Sequence, residues 1–435
     1  MKISGFEKIV SIDNFEYLNR MDSHVLCSFS ACIKADDVDS ALGMVDSDID
    51  FEDDNFKFTG HVTDVSVSND ISGVYIDVKT IGKTYLFDQD KYSRVFQQGD
   101  KTVSDILSHM KSMSDAEFQG KEDPVVESII FQNNETEWIF INRLIKRWGF
   151  HIFSKEKVCI EKYGSDQVEV DEEKFVDYKI SANSKGAHIV CRMDDSLEMG
   201  CQVKYSGKQY YVASKKYVLE KEKYYFEYVL YEIKEDLEIQ EETENVYLYA
   251  KVTDNDDPDK MGRLQVDFEN ESIEDCMKDS PIWIDRMDFY ASHGLGPVYI
   301  PQIDDVVRVH LYNGDCRIVG CVRTESYGSP YEDCDNKYIL LDEDKYIQYG
   351  DGIITVHNKD NQIDISEDEI LISSGDKVTI SAMKDKVLVQ KDKAAVEISS
   401  DINATGGKVI VEAKSDVSIT GTNVNIKGKS GVSVN

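Results

Sequence analysis

The segment that most invites a metal-ion interpretation is residues 254–259, which read Asp-Asn-Asp-Asp-Pro-Asp. Carboxylate and carbonyl oxygens are the ligands that calcium prefers, and calcium-binding loops space them at fixed offsets around a glycine. Here Gly262 and the acidic residues fall at the wrong offsets for such a loop. We therefore expect a turn that connects two strands, with a calcium site as the alternative.

Catalytic motifs are missing from the sequence. It contains no G-x-S-x-G, no H-E-x-x-H and no phosphate-binding Walker loop. The eight histidines are scattered, and the last hundred residues contain His357 alone. Pairs of carboxylates carry no information about glycosidase chemistry in a chain this acidic. We expect no catalytic residues, no cofactor and no metal, and therefore no enzyme.

The formal net charge of −34 argues against binding to nucleic acid or to anionic membranes. The acidity belongs to the body of the chain, because residues 401–435 contain three acidic residues and four lysines. Nine cysteines without a C-x-x-C pair indicate free thiols in a reducing compartment. Residues 1–10 lack the apolar core of a signal peptide, and no 18-residue apolar run occurs. We expect a protein made in the cytosol that leaves it only through a dedicated machine.

The most regular pattern in the sequence is a repeat in residues 338–435. Apolar β-branched pairs recur there every seven to nine residues, with one gap of 13. This pattern predicts short strands joined by polar corners that are not hairpin turns. The pairs assigned to the axis of the repeat are Val378/Ile380, Val387/Val389, Val396/Ile398 and Val409/Val411.

Two windings could bury these pairs. A single-chain coil would leave a wide interior that valine and isoleucine fill poorly, whereas three intertwined chains would bring the slim pairs together on a threefold axis. We favour a triple-stranded β-helix, a needle about 50 Å long at one strand spacing per repeat. The single-chain coil is the alternative.

The remaining chain is predicted to be mainly β with some α. Residues 1–240 show antiparallel strand patterns, such as 58–67, and a hairpin around Ser206-Gly207. An amphipathic helix is predicted over 101–112. In a second helix, Asn134 is the expected N-cap, with Glu137 completing a capping box and Gly149 ending the helix.

Five predicted strands follow in residues 246–323 and fit a small closed barrel. They are Val246–Val252, Gly262–Phe268, Pro281–Ile284, Val306–Leu311 and Ile318–Val322. A polar linker, residues 324–337, leads from this barrel to the needle.

Three stretches resemble VgrG proteins and the hub-and-spike proteins of contractile phage baseplates. The barrel motif consists of Asn255, Asp257, Pro258, Gly262, Arg263, Val266 and Phe268, followed by Asn313, Gly314 and Asp315. The hub motif consists of Asn134, Glu137, Phe140, Arg143 and Leu144. The repeat is the third stretch. The resemblance implies a hub of two barrel-like subdomains with short helices (1–240), an OB-like barrel (246–323) and the needle (338–435).

The resemblance also implies a function. A VgrG-like homotrimer would sit on the inner tube of a contractile injection machine, type VI secretion-like or phage tail-like, and adapt a sixfold Hcp-like tube to a threefold needle. It would puncture target envelopes, touch the target membrane transiently and carry effectors alongside baseplate components. It would be cytoplasmic until assembly and then be injected. A PAAR-like tip protein would dock on the last strand, at Val432 and Val434.

Two departures from the family bear on this function. The predicted linker is too short for the lysozyme insert of some phage spikes, and no effector domain is expected after Asn435. The alternatives are a tail-associated cell-wall hydrolase and a trimeric receptor-binding tail fibre.

Overall fold

The computed structural model describes residues 1–54, 56–97, 99–110, 116–118, 123–170, 172–183, 186–220, 223–234, 245–291, 297–312, 314–323, 337–342, 344–350, 352–375, 378–392, 394–399, 415–418 and 420–424. The chain divides into two compact units, Met1–Arg323 and Thr324–Asn435.

Strands make up most of the first unit. Those of its N-terminal region are β1 Lys2–Ser4, β2 Ile9–Arg20, β3 Leu26–Ile33, β4 Asp48–Asp53, β5 Phe56–Asp70, β6 Gly73–Ile81, β7 Lys91–Phe96, β8 Lys101–Thr102, β9 Ala116–Phe118, β10 Val125–Val126, β11 Ile130–Thr136, β12 His151–Ser154, β13 Val158–Glu161, β14 Gln167–Glu169, β15 Asp177–Asn183, β16 Gly186–Met193, β17 Gln202–Tyr205, β18 Lys208–Glu220 and β19 Lys223–Glu232. The α-helices of the described residues are α1 Val38–Leu42, α2 Val103–Ser108 and α3 Glu137–Lys146, with 3-10 turns at Ala35–Asp37, Lys83–Asp88 and Glu172–Lys174.

A 12-stranded sheet organises this region, in the order β1-β4-β5-β6-β3-β2-β18-β19-β16-β15, with β17 beside β18 and β14 beside β17. The early strands and the late strands join where β2 pairs with β18. Alternate residues of β3 are buried, as one covered sheet face requires. The sheet confirms the predicted strand 58–67 within β5 and the predicted hairpin, whose Ser206 and Gly207 have φ of 49° and 78°.

Two helices build a second core beside this sheet. Helix α2 is shorter than the predicted 101–112, and a capping box of Thr102 and Asp105 starts it. The predicted start of α3 is wrong, because its N-cap is Thr136, whose hydroxyl accepts from the Ile139 amide. Asn134 instead lies at a bulge of β11 with φ of 50°, where the chain still pairs with β7. A residue held in a strand cannot provide the cap of a helix that begins three residues later.

Short strands between 245 and 321 form a separate five-stranded sheet, in the order β21-β20-β24-β25-β23. Its strands are β20 Asn245–Asp254, β21 Gln265–Asp267, β23 Asp285–Arg286, β24 Val306–Tyr312 and β25 Asp315–Cys321, and β22 Glu274–Asp275 lies between β21 and β23 in the chain. Strand β22 pairs with β7 of the N-terminal region instead of joining this sheet. Instead of the predicted strand Pro281–Ile284, a bridge joins Leu264 to Ile284 before β23.

The second unit contains an eight-stranded sheet in which every strand pairs with its sequence neighbours. Its strands are β26 Lys337–Asp342, β27 Lys345–Gly350, β28 Ile353–Asn358, β29 Asn361–Ile365, β30 Glu369–Ser374, β31 Val378–Met383, β32 Val387–Lys391 and β33 Ala394–Ile398. All seven pairings are antiparallel. The described strands therefore form a meander and no single-chain coil.

The expectation that the corners of the repeat are not hairpin turns is wrong for the single chain. The pairs Asn358↔Asn361 and Lys391↔Ala394 each enclose a two-residue connection between antiparallel strands. Lys359 and Asp392 begin these connections with φ of 56° and 51°. Gly352 serves the same purpose with φ of 72°. Lysine is an uncommon left-handed residue, which is why composition did not reveal the turns.

Among the described residues, no helix has the length and apolar character needed to cross a membrane.

Candidate functional site

The Asp257 carboxylate organises the turn of the barrel motif. Its Oδ1 accepts from Arg263 Nη2 at 2.7 Å and its Oδ2 accepts from Arg263 Nε at 3.1 Å, so the pair is bidentate. The backbone amides of Asp259, Met261 and Arg263 donate to the same carboxylate at 2.8–3.2 Å. Hydrogen bonds from Arg263 and from these amides hold the pKa of Asp257 well below its usual range. The carboxylate therefore fixes the turn between β20 and β21.

This arrangement bears on the calcium alternative for residues 254–259. Both oxygens of Asp257, which is 2% exposed, already accept hydrogen bonds from a cation and from amides. Asp259 contributes to the same guanidinium at 2.5 Å, and Asp256 pairs with Lys260. In the part of the chain that the structure describes, no group of three or more His, Cys, Asp or Glu could hold a metal ion.

The other residues of the barrel motif divide between turn and core. Asn255 donates to the Pro301 carbonyl at 2.9 Å, Pro258 is exposed, and Gly262 has φ of 77° beside Arg286. Val266 and Phe268 are buried in the barrel core. Gly314 has φ of 80° and Asp315 accepts from Arg317 at 2.9 Å. Asn313 lies outside the described residues.

The residues of the hub motif lie on and just before α3. Phe140 and Leu144 are buried in the second core. Arg143 donates to Glu135 Oε1 at 2.7 Å and to the Phe131 carbonyl at 2.9 Å, so it fastens the helix to β11. Glu137 is fully buried and accepts from Arg94 Nη1 at 2.6 Å. Asn134 donates its backbone amide to Ser93 and lies apart from the helix cap.

A buried polar network, which the sequence did not reveal, connects this helix to the barrel. Arg94 also donates to Glu274 at 3.3 Å, and Gln97 donates to Asp275 at 2.5 Å and to the Val266 carbonyl at 3.2 Å. The barrel core includes Val95, Ile129 and Phe131 of the N-terminal region. Because the partners of Gln97 lie about 170 residues away in sequence, local patterns carry no signal for them. Within the first unit, the barrel and the helical core are one packed body.

The predicted axial residues align on one face of the eight-stranded sheet. Direct pairings place Val356, Ile363, Ile372, Ile380, Val389 and Val396 in one column, and Ile354, Ile365, Ile370, Ala382, Val387 and Ile398 in a second. We name these two columns the Ile/Val face. Val378 flanks it opposite Lys391. Val409, Val411, Val432 and Val434 lie outside the described residues.

Among the described residues, nothing forms a second layer over this face. The exposed fractions of its valines and isoleucines range from 37% for Ile363 to 58% for Val396. Residues of the opposite face are mostly polar, and hydrogen bonds join Thr355 to Asp364 and His357 to Gln362. A single-layer sheet with one apolar face exposes a continuous apolar surface to water. This surface is stable only when another layer of protein packs on it.

Comparisons with known proteins agree with this architecture. A family model described as the type VI secretion system/phage-baseplate injector OB domain matches residues 248–322. No match was found among curated proteins.

Two solved structures show a likeness of fold over most of the chain. The E. coli c3393 protein, a type VI secretion component described as similar to the T4 tail proteins gp27 and gp5, has TM-score 0.56 and 14% identity over 74% of this chain and 99% of that chain. A chain of the lidded Francisella PdpA–VgrG complex has TM-score 0.53 and 10% identity over 88% of this chain and 76% of that chain. At these identities the likeness is one of fold. The chain therefore contains a stretch, residues 248–322, that matches the injector OB domain, and it shares a mainly β fold with these VgrG and baseplate proteins.

Proposed function

We propose that this protein is the trimeric spike of a contractile injection machine. The observation that carries the proposal is the uncovered Ile/Val face, which runs in register through six strands. Burial of each of its side chains is worth on the order of 1 kcal/mol, and the columns repeat this gain strand after strand. Association of identical chains through this face would supply the missing layer.

Three chains suit the face better than one folded coil. The columns contain valine, isoleucine and one alanine, and small branched side chains fit a narrow axis where three walls meet. The opposite face is polar and would remain in solvent. A VgrG-like fold with an injector OB domain before the sheet supports the same assembly. In this arrangement the apolar columns of three chains form the dry interior of a needle.

The role of the assembly is mechanical. Residues 1–240 form the hub that contacts a sixfold Hcp-like inner tube, the barrel of 246–323 connects it to the needle of 338–435, and a PAAR-like tip protein docks at Val432 and Val434. The spike punctures an envelope and carries effectors, with no catalysis of its own. The large sheet and the buried ion pair of Arg94 and Glu137 give the hub the rigidity that an adapter under axial load needs.

Sedimentation equilibrium of the full-length chain tests the proposal. We expect a mass three times the 49.5 kDa of one chain, with no change on dilution through the micromolar range. A stable monomer under these conditions would refute the trimeric spike. Zymography on cell-wall material addresses the mechanical role separately, because clearing of the substrate would identify a hydrolase.

A further inference from the structure

A cavity of about 1100 Å³ lies in the first unit, between the 12-stranded sheet and the hairpin of β12 and β13. Its floor comes from β2 and β18, and its walls come from β5, from the turn that follows β6 and from the β12–β13 connection. Because all of these elements belong to one compact unit, the cavity is a feature of the single chain.

The charge of the cavity is opposite to that of the protein. Five lysines line it, at positions 57, 83, 155, 157 and 215, against the two acidic residues Glu156 and Glu198. The chain as a whole carries a net charge of −34. Lysines gathered around a concave, partly apolar space in an acidic protein attract anions, because low-dielectric walls focus their field.

Lys215 supplies the charge at the floor. It pairs directly with Asn19 across β18 and β2, which places both side chains on the same face of the sheet. Lys215 is 9% exposed, and its ammonium donates to the neutral Ser196 hydroxyl at 2.9 Å and lies 5.0 Å from the centre of the Phe226 ring. No carboxylate of the described residues forms an ion pair with it. Burial lowers the pKa of Lys215, which an anion beside the ammonium would reverse.

Two buried oxygens in the cavity lining have no hydrogen-bond partner in the described structure. Asn19 is 2% exposed, and its amide nitrogen donates to the Ser154 carbonyl at 2.6 Å and to Tyr17 Oη at 3.2 Å, which leaves Oδ1 unused. Ser154 Oγ is the second buried atom without a partner. Unpaired buried oxygens are costly, so the polar part of this cavity wall is not fully satisfied by the protein itself.

Aromatic rings form one wall of the same cavity. Tyr17 meets Phe56 and Phe58 edge to face, with ring centroids 4.7 and 5.1 Å apart. Phe56 is buried and Phe58 is half-buried. Such a wall accepts a flat apolar group beside the lysine charge.

We propose that this cavity binds a small aromatic anion, a carboxylate or a phosphate monoester. Its anionic group pairs with Lys215, and its ring packs on Tyr17 and Phe58. The rim lysines Lys57 and Lys83 draw the anion to the mouth. The proposal is independent of the trimeric spike, since every residue of the site lies in the first unit.

Isothermal titration calorimetry of the full-length protein tests the site with three probes. These are 4-hydroxybenzoate, phenyl phosphate and phenol, which is the uncharged analogue. We expect binding of at least one of the two anions at sub-millimolar to millimolar concentration, no binding of phenol, and weaker binding at high salt. The tighter of the two anions identifies the anionic group.

Lys215→Met should weaken anion binding by about tenfold or more, since it removes a charge-assisted contact. The variant should still fold, because methionine fills the space of a buried lysine without its desolvation cost. Lys216→Met is the matched control: Lys216 is the next residue of β18, points to the other face and pairs with Glu16 at 2.8 Å. Circular dichroism melting verifies folding of both variants.

Three results would overturn the proposal. They are no binding of either anion at millimolar concentration, binding of phenol as tight as that of the anions, and equal loss of binding in the Lys215 and Lys216 variants.

Discussion

At the scale of single residues, the barrel motif works by hydrogen bonding. Asp257 accepts hydrogen bonds from three backbone amides and from Nε and Nη2 of Arg263. A carboxylate at this position therefore fixes the backbone conformation of the whole turn. Asp259 touches the same guanidinium, but its side chain is 70% exposed. Solvent screens an exposed pair, which makes it worth little. The two acids of one motif therefore contribute unequally.

Asp257→Ala should lower the melting temperature of the first unit by several degrees, because the three amides and Arg263 lose their acceptor. Asp259→Ala is the matched control and should change it little. Differential scanning calorimetry of both variants makes the comparison. Equal effects would contradict the assigned role of Asp257.

Asp275, which lies where the barrel packs on the N-terminal region, makes the stability of the fold depend on pH. Burial raises its pKa to about 6, even though Gln97 and the Phe268 amide donate to it. Its Oδ1 is buried without a partner. Between the unfolded pKa near 3.8 and the folded value, the folded protein keeps a proton that the unfolded chain has lost. Stability from this group is therefore present at low pH and is lost as the pH rises to about 6.

Asp275→Asn removes this titration. Between pH 4 and pH 6.5 the unfolding free energy of the variant should increase by roughly 2 kcal/mol relative to that of the wild type, and the difference should then stay constant. Urea denaturation at a series of pH values measures the difference. A constant offset across the range would show that Asp275 does not titrate in this window.

At the scale of elements, the eight-stranded sheet separates its two faces by alternation. Ile380 pairs with Ile372 and Val389 on the Ile/Val face, whereas Thr379 pairs with Ser373 and Gln390 on the polar face. Adjacent residues of one strand thus face opposite environments.

Ile380→Asp should prevent assembly of the trimer, because three carboxylates would meet near the axis at a cost on the order of several kcal/mol. Thr379→Asp is the control, and it should assemble as the wild type does. Sedimentation velocity of both variants decides between them. If both assemble, or neither does, the Ile/Val face is not the axis.

At the scale of the whole molecule, the two compact units differ in how their apolar residues are buried. The first unit contains the three hydrophobic cores, the injector OB domain and the cavity, and the second contains the uncovered sheet. A unit with its own cores can fold alone, whereas a single-layer sheet needs a second layer.

A chain that ends at Arg323 should therefore fold and remain a monomer, whereas we expect the full-length chain to form the proposed trimer. Analytical ultracentrifugation gives the mass, and calorimetry reports whether the truncated chain melts cooperatively. A trimer of the truncated chain would move the interface into the first unit, where Phe289 is fully exposed.

The sequence alone determined the features that depend on local order. Alternation placed the Ile/Val pairs on one face, and Ser206-Gly207 marked a hairpin, because side-chain periodicity and backbone freedom act over a few residues. The resemblance of the barrel motif led to the OB domain for the same reason, since its residues lie in two short stretches, 255–268 and 313–315.

Tertiary structure decided the rest, because it depends on partners distant in the chain. Thr136 caps α3 instead of Asn134, since pairing of β11 with β7 holds Asn134 in a strand. The network of Arg94, Gln97 and Asp275 and the cavity above Lys215 and Asn19 arise where strands far apart in sequence become neighbours. A buried lysine or amide has no sequence signature, because its burial is a property of the packed sheet and not of the residues beside it.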